Sequence, residues 1–259
     1  MENTVITVAG KGGVGKTSIS AAIVRELVKS FPESRILAID ADPAGGLATA
    51  LDVEPKLTLD DIRKAITEAG EGDRQKKRAI ELLCEARFRI IDAITEKNGF
   101  AFIAVGRPEA AGCYCSINAY LKEVISMLSE GFDYVVIDGE AGIEQINRRV
   151  MEKVTHLFLV TDPSKKGTQV IQAIKKVADE LVMYQKLGVI VNRFNDESIK
   201  KHINTGDIPV LAYIPDDREL SLFDVLGNSI MELPDNSKLV LGVRRALEAL
   251  EIMETGVLK

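Results

Sequence analysis

The sequence predicts an α/β protein with a doubly wound, mostly parallel sheet flanked by helices. Short apolar runs rich in β-branched residues recur along the chain, and longer segments with helical periodicity separate them. The runs show little polar alternation, which is typical of strands buried on both faces of a parallel sheet. In chain order they are TVITVAG, RILAID, FAFIAV, DYVVIDG, HLFLVTD, LGVIVNR and PVLAYIP.

Length and composition favour one compact domain over residues 1–259. The chain has 259 residues, of which 46% are hydrophobic, enough for a buried core. Its formal net charge of −6 disfavours nucleic acid and anionic membranes as partners, because both attract an excess of Lys and Arg. No apolar run approaches the roughly 18 to 20 residues of a membrane span. The start, MENTVITVAG, has no basic leader, so we expect a cytoplasmic protein with no membrane partner.

A charged segment at about 57–97 interrupts the alternation of strands and helices. We interpret it as a helical insertion on the surface of the domain, and we expect Cys84 to pack as a small apolar residue on its buried face. The apolar side chains that fall at helical spacing in this segment are Ile80, Leu83, Cys84, Phe88 and Ile91.

The string GKGGVGKTS at 10–18 follows the first predicted strand and precedes a helical pattern. Its spacing and context fit a phosphate-binding loop, in which glycines let backbone N–H groups turn toward anionic oxygens. Lys16 would neutralise the β- and γ-phosphates of ATP, and the Thr17 hydroxyl would bind Mg²⁺; ADP is expected in the same site. The residues predicted to hold the nucleotide here are Gly10, Gly12, Gly13, Val14, Gly15, Lys16, Thr17 and Ser18.

A second lysine, Lys11, is not needed to grip phosphates within one chain. The string KGGVGKTS resembles the deviant phosphate-loop ATPases, the family of MinD, ParA and the nitrogenase iron protein. The resemblance implies a P-loop NTPase fold of the SIMIBI or MinD-like type. It also implies a homodimer in which Lys11 reaches the partner's nucleotide and assists catalysis. A plain surface lysine is the alternative.

Two further stretches match this family in order and position. LAIDADPAGGL ends a strand with two aspartates, and the resemblance assigns Asp42 to the first switch, where it orients the attacking water. YVVIDGEAGIE ends a strand with Asp138, which by the same resemblance holds the Mg²⁺ coordination shell. Either aspartate could instead only cap its strand. In VIVNRF, the resemblance gives Asn192 to the adenine edge, although a strand-end cap is again possible.

The stretch AAGCYCSIN places Cys113 and Cys115 two residues apart in a chain with three cysteines. Thiolates at this spacing can grip one soft metal ion, but two ligands do not complete a tetrahedral site. The two histidines, His156 and His202, are expected to be structural or solvated. A second copy of the chain is the simplest completion, and thiolate chemistry alone favours zinc or copper(I) as readily as nickel. A redox pair is a further alternative, although a disulfide across one residue is strained.

The Cys-x-Cys pattern, together with DGEAGIE, resembles the CooC-type nickel-insertion ATPases of carbon monoxide dehydrogenase and acetyl-CoA synthase maturation. This resemblance implies a metallochaperone that hydrolyses ATP with Mg²⁺ and delivers nickel to one of those client enzymes. Zinc could occupy the same pair of thiolates. The alternative is a MinD- or ParA-like positioning or partition switch whose cysteines are incidental.

Overall fold

An eight-stranded sheet forms the centre of the computed structural model, which describes residues 3–42, 44–68, 88–106, 123, 125–139, 154–181 and 184–254. The strands lie side by side in the order β3-β4-β2-β5-β1-β6-β7-β8. Pairing is parallel throughout except between β3 and β4. The strands are β1 Thr4–Gly10, β2 Ile36–Asp40, β3 Thr95–Lys97, β4 Phe100–Ala104, β5 Tyr134–Asp138, β6 His156–Thr161, β7 Lys186–Asn192 and β8 Val210–Ile214.

The seven predicted apolar runs correspond to β1, β2, β4, β5, β6, β7 and β8, so the predicted doubly wound sheet is confirmed. Helices of the described residues lie between the parallel strands and after the last strand, β8. They are α1 Lys16–Ser30, α2 Gly46–Ala50, α3 Leu59–Glu68, α4 Lys165–Leu181, α5 Arg218–Leu226 and α6 Lys238–Ala249. Two short 3₁₀ helices span Glu197–His202 and Ile230–Glu232, and further helical residues lie at 88–93 and 125–129.

Alternate residues of each central strand enter two separate cores, one on each face of the sheet. In β1, Ile6 and Val8 join the core that packs against α1 and α6, whereas Val5 and Ala9 join the core on the opposite face. Burial on both faces explains why these strands read as continuous apolar runs in the sequence.

The charged insertion at about 57–97 differs from the prediction in two ways. Its last residues, Thr95–Lys97, form the antiparallel edge strand β3 instead of a helix. Over the helical residues 88–93, the buried side chains are Ile90 and Ala93, whereas Phe88 and Ile91 are 68% and 46% exposed. The predicted apolar face was therefore wrong here, because packing against the sheet selects the alternate face. Cys84 lies outside the described residues.

Within the described part of the chain, no helix is long and apolar enough to cross a membrane.

Candidate functional site

The carboxyl ends of the central parallel strands meet at one edge of the sheet, which we call the carboxyl edge. β1 is the centre of this edge, because it pairs with β5 on one side and β6 on the other. The chain order of the strands reverses around β1, and ligands of open α/β sheets bind at such switch points. Polar side chains gather there at the ends of β2, β5, β6 and β7, and together with the glycine-rich loop after β1 they form the candidate site.

The glycine-rich loop needs its glycines at the two positions where the chain is most crowded. A Cβ on Gly10 would lie 2.2 Å from the Val160 carbonyl oxygen. Gly15 has φ of 92° and forms the N-terminal boundary of α1, and a Cβ there would meet Asn192 at 2.6 Å. The backbone of the loop therefore approaches β6 and β7 too closely for a side chain at either position, and α1 begins at this edge, where its first N–H groups can receive an anion.

Lys16 begins α1 and is 7% exposed, and its Nζ donates a hydrogen bond to the Lys11 carbonyl at 3.3 Å. The side chain therefore folds back over the loop from which it starts. A buried ammonium held by a neutral carbonyl at an anion-binding helix terminus is well placed to exchange that bond for a phosphate oxygen.

Asp138, at the end of β5, is fully buried and is tied to α1 by two hydroxyl groups. Thr17 Oγ1 donates to Oδ2 and Ser20 Oγ donates to Oδ1, each at 2.8 Å. Burial raises the pKa of Asp138 to about 6, although both hydroxyl bonds and the Lys16 charge act in the opposite direction. A carboxylate and a threonine hydroxyl in direct contact form an oxygen donor pair suited to Mg²⁺.

Asp40 ends the neighbouring strand β2 and lies directly beside Asp138 in the parallel register. It is 1% exposed, and burial followed by the charge of Asp138 raises its pKa to about 7. Its oxygens accept hydrogen bonds from the backbone N–H groups of Asp42, Leu47 and Ala48. Two buried carboxyl groups therefore stand side by side at the carboxyl edge, each more easily protonated than an ordinary aspartate.

Asp42 stands in the loop after β2 and is half-buried. Its Oδ1 accepts a hydrogen bond from the backbone N–H of Ala44 at 2.9 Å, and its carbonyl accepts one from Gly45 at 3.0 Å. The carboxylate is close enough to Asp138 for its charge to raise the pKa of that group. Asp42 thus lies near Asp138 at the carboxyl edge, and its role in orienting water stays a prediction.

Asn192, at the end of β7, connects the glycine-rich loop to an open cavity of about 150 Å³. Its Nδ2 donates to the Val14 carbonyl at 2.8 Å, and its Oδ1 accepts the backbone N–H of Arg193 at 3.0 Å. The cavity is on the scale of one nucleobase. It is lined by Gly15, Ser18, Asn192, Arg193, Ile214, Pro215, Asp216, Asp217, Leu220, Ser221, Asp224 and Leu239.

Lys11 forms an ion pair with Asp162, the residue that follows β6, at 3.3 Å. Burial alone would raise the pKa of Asp162, but hydrogen bonds from Ser164 and Lys11 outweigh it and hold the pKa below its usual value. About a third of the Lys11 side chain is exposed. The pair is therefore accessible at the rim of the site and can open without disturbing the core.

The structure brings the predicted phosphate-loop residues, Asp42, Asp138 and Asn192 together at the carboxyl edge. Sequence reasoning missed Ser20 and Asp162 and gave no role to Asp40. Asp162 carries the same signal as Asp138, an aspartate directly after an apolar strand, but its partner Lys11 is remote in sequence.

The predicted metal ligands Cys113 and Cys115 lie outside the described residues, as does most of the second switch after Gly139. Among the residues that the structure does describe, no group of three or more His, Cys, Asp or Glu side chains is arranged to hold a metal ion. His156 lies at the opposite edge of the sheet, where it is buried against Thr155, and His202 is exposed in a 3₁₀ helix.

Comparison with known proteins agrees with this geometry. The profile of the CobQ/CobB/MinD/ParA nucleotide binding domain matches residues 5–229. An uncharacterized ATP-binding protein of Methanocaldococcus jannaschii is 33% identical over 94% of this chain and 97% of its own length. The carbon monoxide dehydrogenase accessory protein CooC of Rhodospirillum rubrum is 32% identical over 88% of this chain and 89% of its own.

Among solved structures, the septum site-determining protein MinD of Pyrococcus horikoshii, complexed with Mg-ADP, has a similar fold. Its TM-score is 0.66 at 21% identity, over 97% of this chain and 96% of that one. The chain belongs to the CobQ/CobB/MinD/ParA family of nucleotide binding domains.

Proposed function

We propose that this protein is an Mg²⁺-dependent ATPase that dimerises on ATP and delivers nickel during maturation of carbon monoxide dehydrogenase or acetyl-CoA synthase. The observation that carries the ATPase part is the contact of Thr17 and Ser20 with the buried Asp138, directly beside the glycine-rich loop. The cargo part is supported by the Cys113–Cys115 pair and by the similarity to CooC.

The described residues suit the triphosphate. The N–H groups at the start of α1 and the Lys16 ammonium would bind the β- and γ-phosphates. Thr17 would bind Mg²⁺ directly, and Asp138 would hold its coordination shell. When bound, the ion would neutralise charge that develops on the phosphate oxygens during transfer. Asn192 and its cavity would receive the base.

Hydrolysis in this scheme depends on positioning and charge rather than on covalent chemistry. Asp42 orients the attacking water beside the γ-phosphate. Lys11 leaves Asp162 and reaches the nucleotide of a second copy of the chain, so that catalysis is complete only in the dimer. Turnover by the isolated monomer is therefore slow.

Nickel is the cargo of this proposal, and Cys113 and Cys115 are its proposed ligands. One chain supplies two thiolates, and a tetrahedral site needs four ligands, so two chains related by a twofold axis would complete it. Metal binding and ATP binding would then favour the same dimer, because each site is incomplete in the monomer.

A second candidate follows from the family itself, which includes MinD and ParA. In that case the nucleotide site works in the same way, but the dimer positions a partner and the cysteines are incidental. The two candidates differ in one measurable quantity, the amount of metal per dimer.

Metal analysis combined with size measurement tests the proposal. After loading with nickel, and in a parallel series with zinc, the wild-type dimer should hold one metal ion per two chains. The Cys113→Ser, Cys115→Ser double variant should hold none while its affinity for ADP is unchanged. The matched control is Cys84→Ser, which removes the remaining cysteine and should keep the metal.

Full metal retention by the Cys113→Ser, Cys115→Ser double variant would exclude the metallochaperone. The positioning switch would gain support if wild type held no stoichiometric metal and dimerised on ATP alone.

A further inference from the structure

The end of β2 contains a buried carboxylate that receives three backbone N–H groups. Asp40 Oδ1 accepts from Asp42 at 3.2 Å, and Oδ2 accepts from Leu47 at 3.0 Å and from Ala48 at 3.3 Å. The three donors lie on both sides of the loop that leads from β2 into α2. One side chain therefore joins the beginning and the end of this loop.

The far end of the loop is anchored in the protein core. Leu47 is fully buried and Ala48 is 8% exposed, and both belong to the core that packs against α1. Within the loop, the Gly45 N–H donates to the Asp42 carbonyl at 3.0 Å. The loop is consequently held at both ends, and Asp42 Oδ1 accepts the Ala44 N–H within it at 2.9 Å.

The same loop touches the residue proposed to bind Mg²⁺. A Cβ on Gly46 would lie 3.3 Å from Thr17 Cγ2, so the backbone of α2 packs directly on that side chain. Asp40 also neighbours Asp138, the hydrogen-bond acceptor of Thr17, across the β2–β5 pair. The loop, Thr17 and Asp138 thus form one connected arrangement around Asp40.

We propose that Asp40 is a positioning residue for hydrolysis, which fixes the loop so that the Asp42 carboxylate remains at the phosphate site. The inference rests on the proposed ATPase function and assigns Asp40 no contact with the nucleotide. The hydrogen bonds explain why an acceptor with two oxygens is needed at this position, since the buried N–H groups of Leu47 and Ala48 and the half-buried N–H of Asp42 would otherwise lose this partner.

Hydrogen exchange tests the positioning itself and needs no turnover. In Asp40→Asn one of the two oxygens becomes an NH2 group, which donates and cannot accept, so the three backbone N–H groups can no longer all be bonded. At a pH of about 8.5, the amides of Asp42, Leu47 and Ala48 should exchange about tenfold faster than in wild type. The matched control is Asp196→Asn, which alters an exposed cap of the 3₁₀ helix Glu197–His202 and should leave these amides unchanged.

Turnover tests the consequence. Asp40→Asn should hydrolyse Mg-ATP about tenfold more slowly, with affinity for Mg-ADP within about threefold of wild type, because the glycine-rich loop is untouched. The double variant Asp40→Asn, Asp42→Asn should be within about twofold of Asp42→Asn alone, since a residue that acts through Asp42 loses its effect when Asp42 is changed. Asp40→Glu, which keeps the charge but displaces the oxygens, replaces the Asn variant if that variant does not fold.

Unchanged exchange at all three amides, Asp42, Leu47 and Ala48, in a folded Asp40 variant would overturn the inference. A double variant whose loss of turnover equals the product of the two single losses would also overturn it. If wild type does not hydrolyse ATP, the proposed function fails, and the exchange measurement alone then decides whether Asp40 fixes the loop.

Discussion

The carboxyl edge of the sheet and the contact between α1 and α6 both bury charged side chains, but they surround them differently. Between the helices, Glu26 is 1% exposed and accepts hydrogen bonds from Arg25 and from Arg244. At the carboxyl edge, Asp40 and Asp138 adjoin each other, and burial raises the pKa of both. Lys16 is the cation whose charge acts on Asp138.

We call the group formed by Arg25, Glu26, Lys29, Asp235 and Arg244 the helix charge cluster. Lys29 and then Arg25 lower the pKa of Asp235 to about 2, the opposite of the shift at the edge. In the helix charge cluster, acidic and basic side chains pair with each other and stabilise the fold. At the carboxyl edge, positive charge only partly compensates the two carboxyl groups, as is expected of a site that binds a cation. The following predictions test this difference.

The largest expected effect is a contrast between two amide substitutions. One should mainly lower stability, and the other should mainly lower the rate of ATP hydrolysis. Glu26→Gln should lower the free energy of unfolding by about 3 kcal/mol, because it removes the anion paired with Arg244 and one of the two anions paired with the buried Arg25. Asp138→Asn should change stability by less than about 1 kcal/mol, since Thr17 and Ser20 can still bond the amide, yet reduce Mg-ATP turnover about 100-fold. Urea denaturation and a phosphate-release assay measure the two quantities.

A folded Glu26→Gln protein should keep the wild-type affinity for Mg-ADP, which serves as the internal control. The distinction between the two regions fails if Asp138→Asn destabilises the chain as much as Glu26→Gln does.

The second prediction concerns pH in the absence of nucleotide. Asp40 and Asp138 have folded pKa values of about 7 and about 6, above the ordinary 3.8, so between these values the folded chain binds more protons than the unfolded one. Stability therefore falls as pH rises from about 4 to about 7, by up to about 1.4 kcal/mol per pH unit for each of the two groups. Urea denaturation across this range should show the fall, and Asp40→Asn should flatten it.

The helix charge cluster should give stability the opposite dependence on pH. The folded pKa of Asp235 is about 2, so its contribution is complete above about pH 4 and is lost as pH falls toward 2. Nucleotide-free stability that rises steadily between about pH 4 and 7 would contradict the assignment of raised pKa values to the edge.

The smallest effect is expected at the exposed ion pair of Lys11 and Asp162. Asp162→Ala should cost less than about 1 kcal/mol of stability, because both side chains are partly in water. It should nevertheless raise the dimer fraction with ATP about threefold, since Lys11 no longer has to leave its own chain's carboxylate. Sedimentation with and without ATP measures this.

Asp179→Ala provides the matched control for that experiment. It removes a comparable ion pair with Lys175 on α4 and should not alter dimerisation. An equal shift in both variants would mean that the Lys11–Asp162 pair has no special part in assembly.

Much of the fold could be predicted because strands buried on both faces have an apolar run as their signature. β3 escaped prediction because Thr95–Lys97 is a three-residue polar segment at the edge of the sheet, paired on one side only. The buried face at 88–93 escaped because two faces offer apolar residues at helical spacing, and only packing against the sheet distinguishes them.

The candidate site likewise has features that the sequence predicts and features that it does not. The phosphate loop could be predicted because its glycines and lysine meet a local backbone requirement within a few residues. The pairing of Lys11 with Asp162 joins positions 151 residues apart, and no local pattern reveals it. Asp40 and Asp42 look equivalent in the sequence, and only the position of α2 determines that Asp40 is buried under three N–H groups.

The most direct test of the account is the specific rate of Mg-ATP hydrolysis as a function of protein concentration, in wild type and Lys11→Ala. If two chains complete each other's sites, the wild-type rate per chain rises with concentration until the dimer saturates. Lys11→Ala should then stay at the low rate throughout while still binding ATP. A rate per chain that is independent of concentration, or a Lys11→Ala variant as active as wild type, would contradict the account.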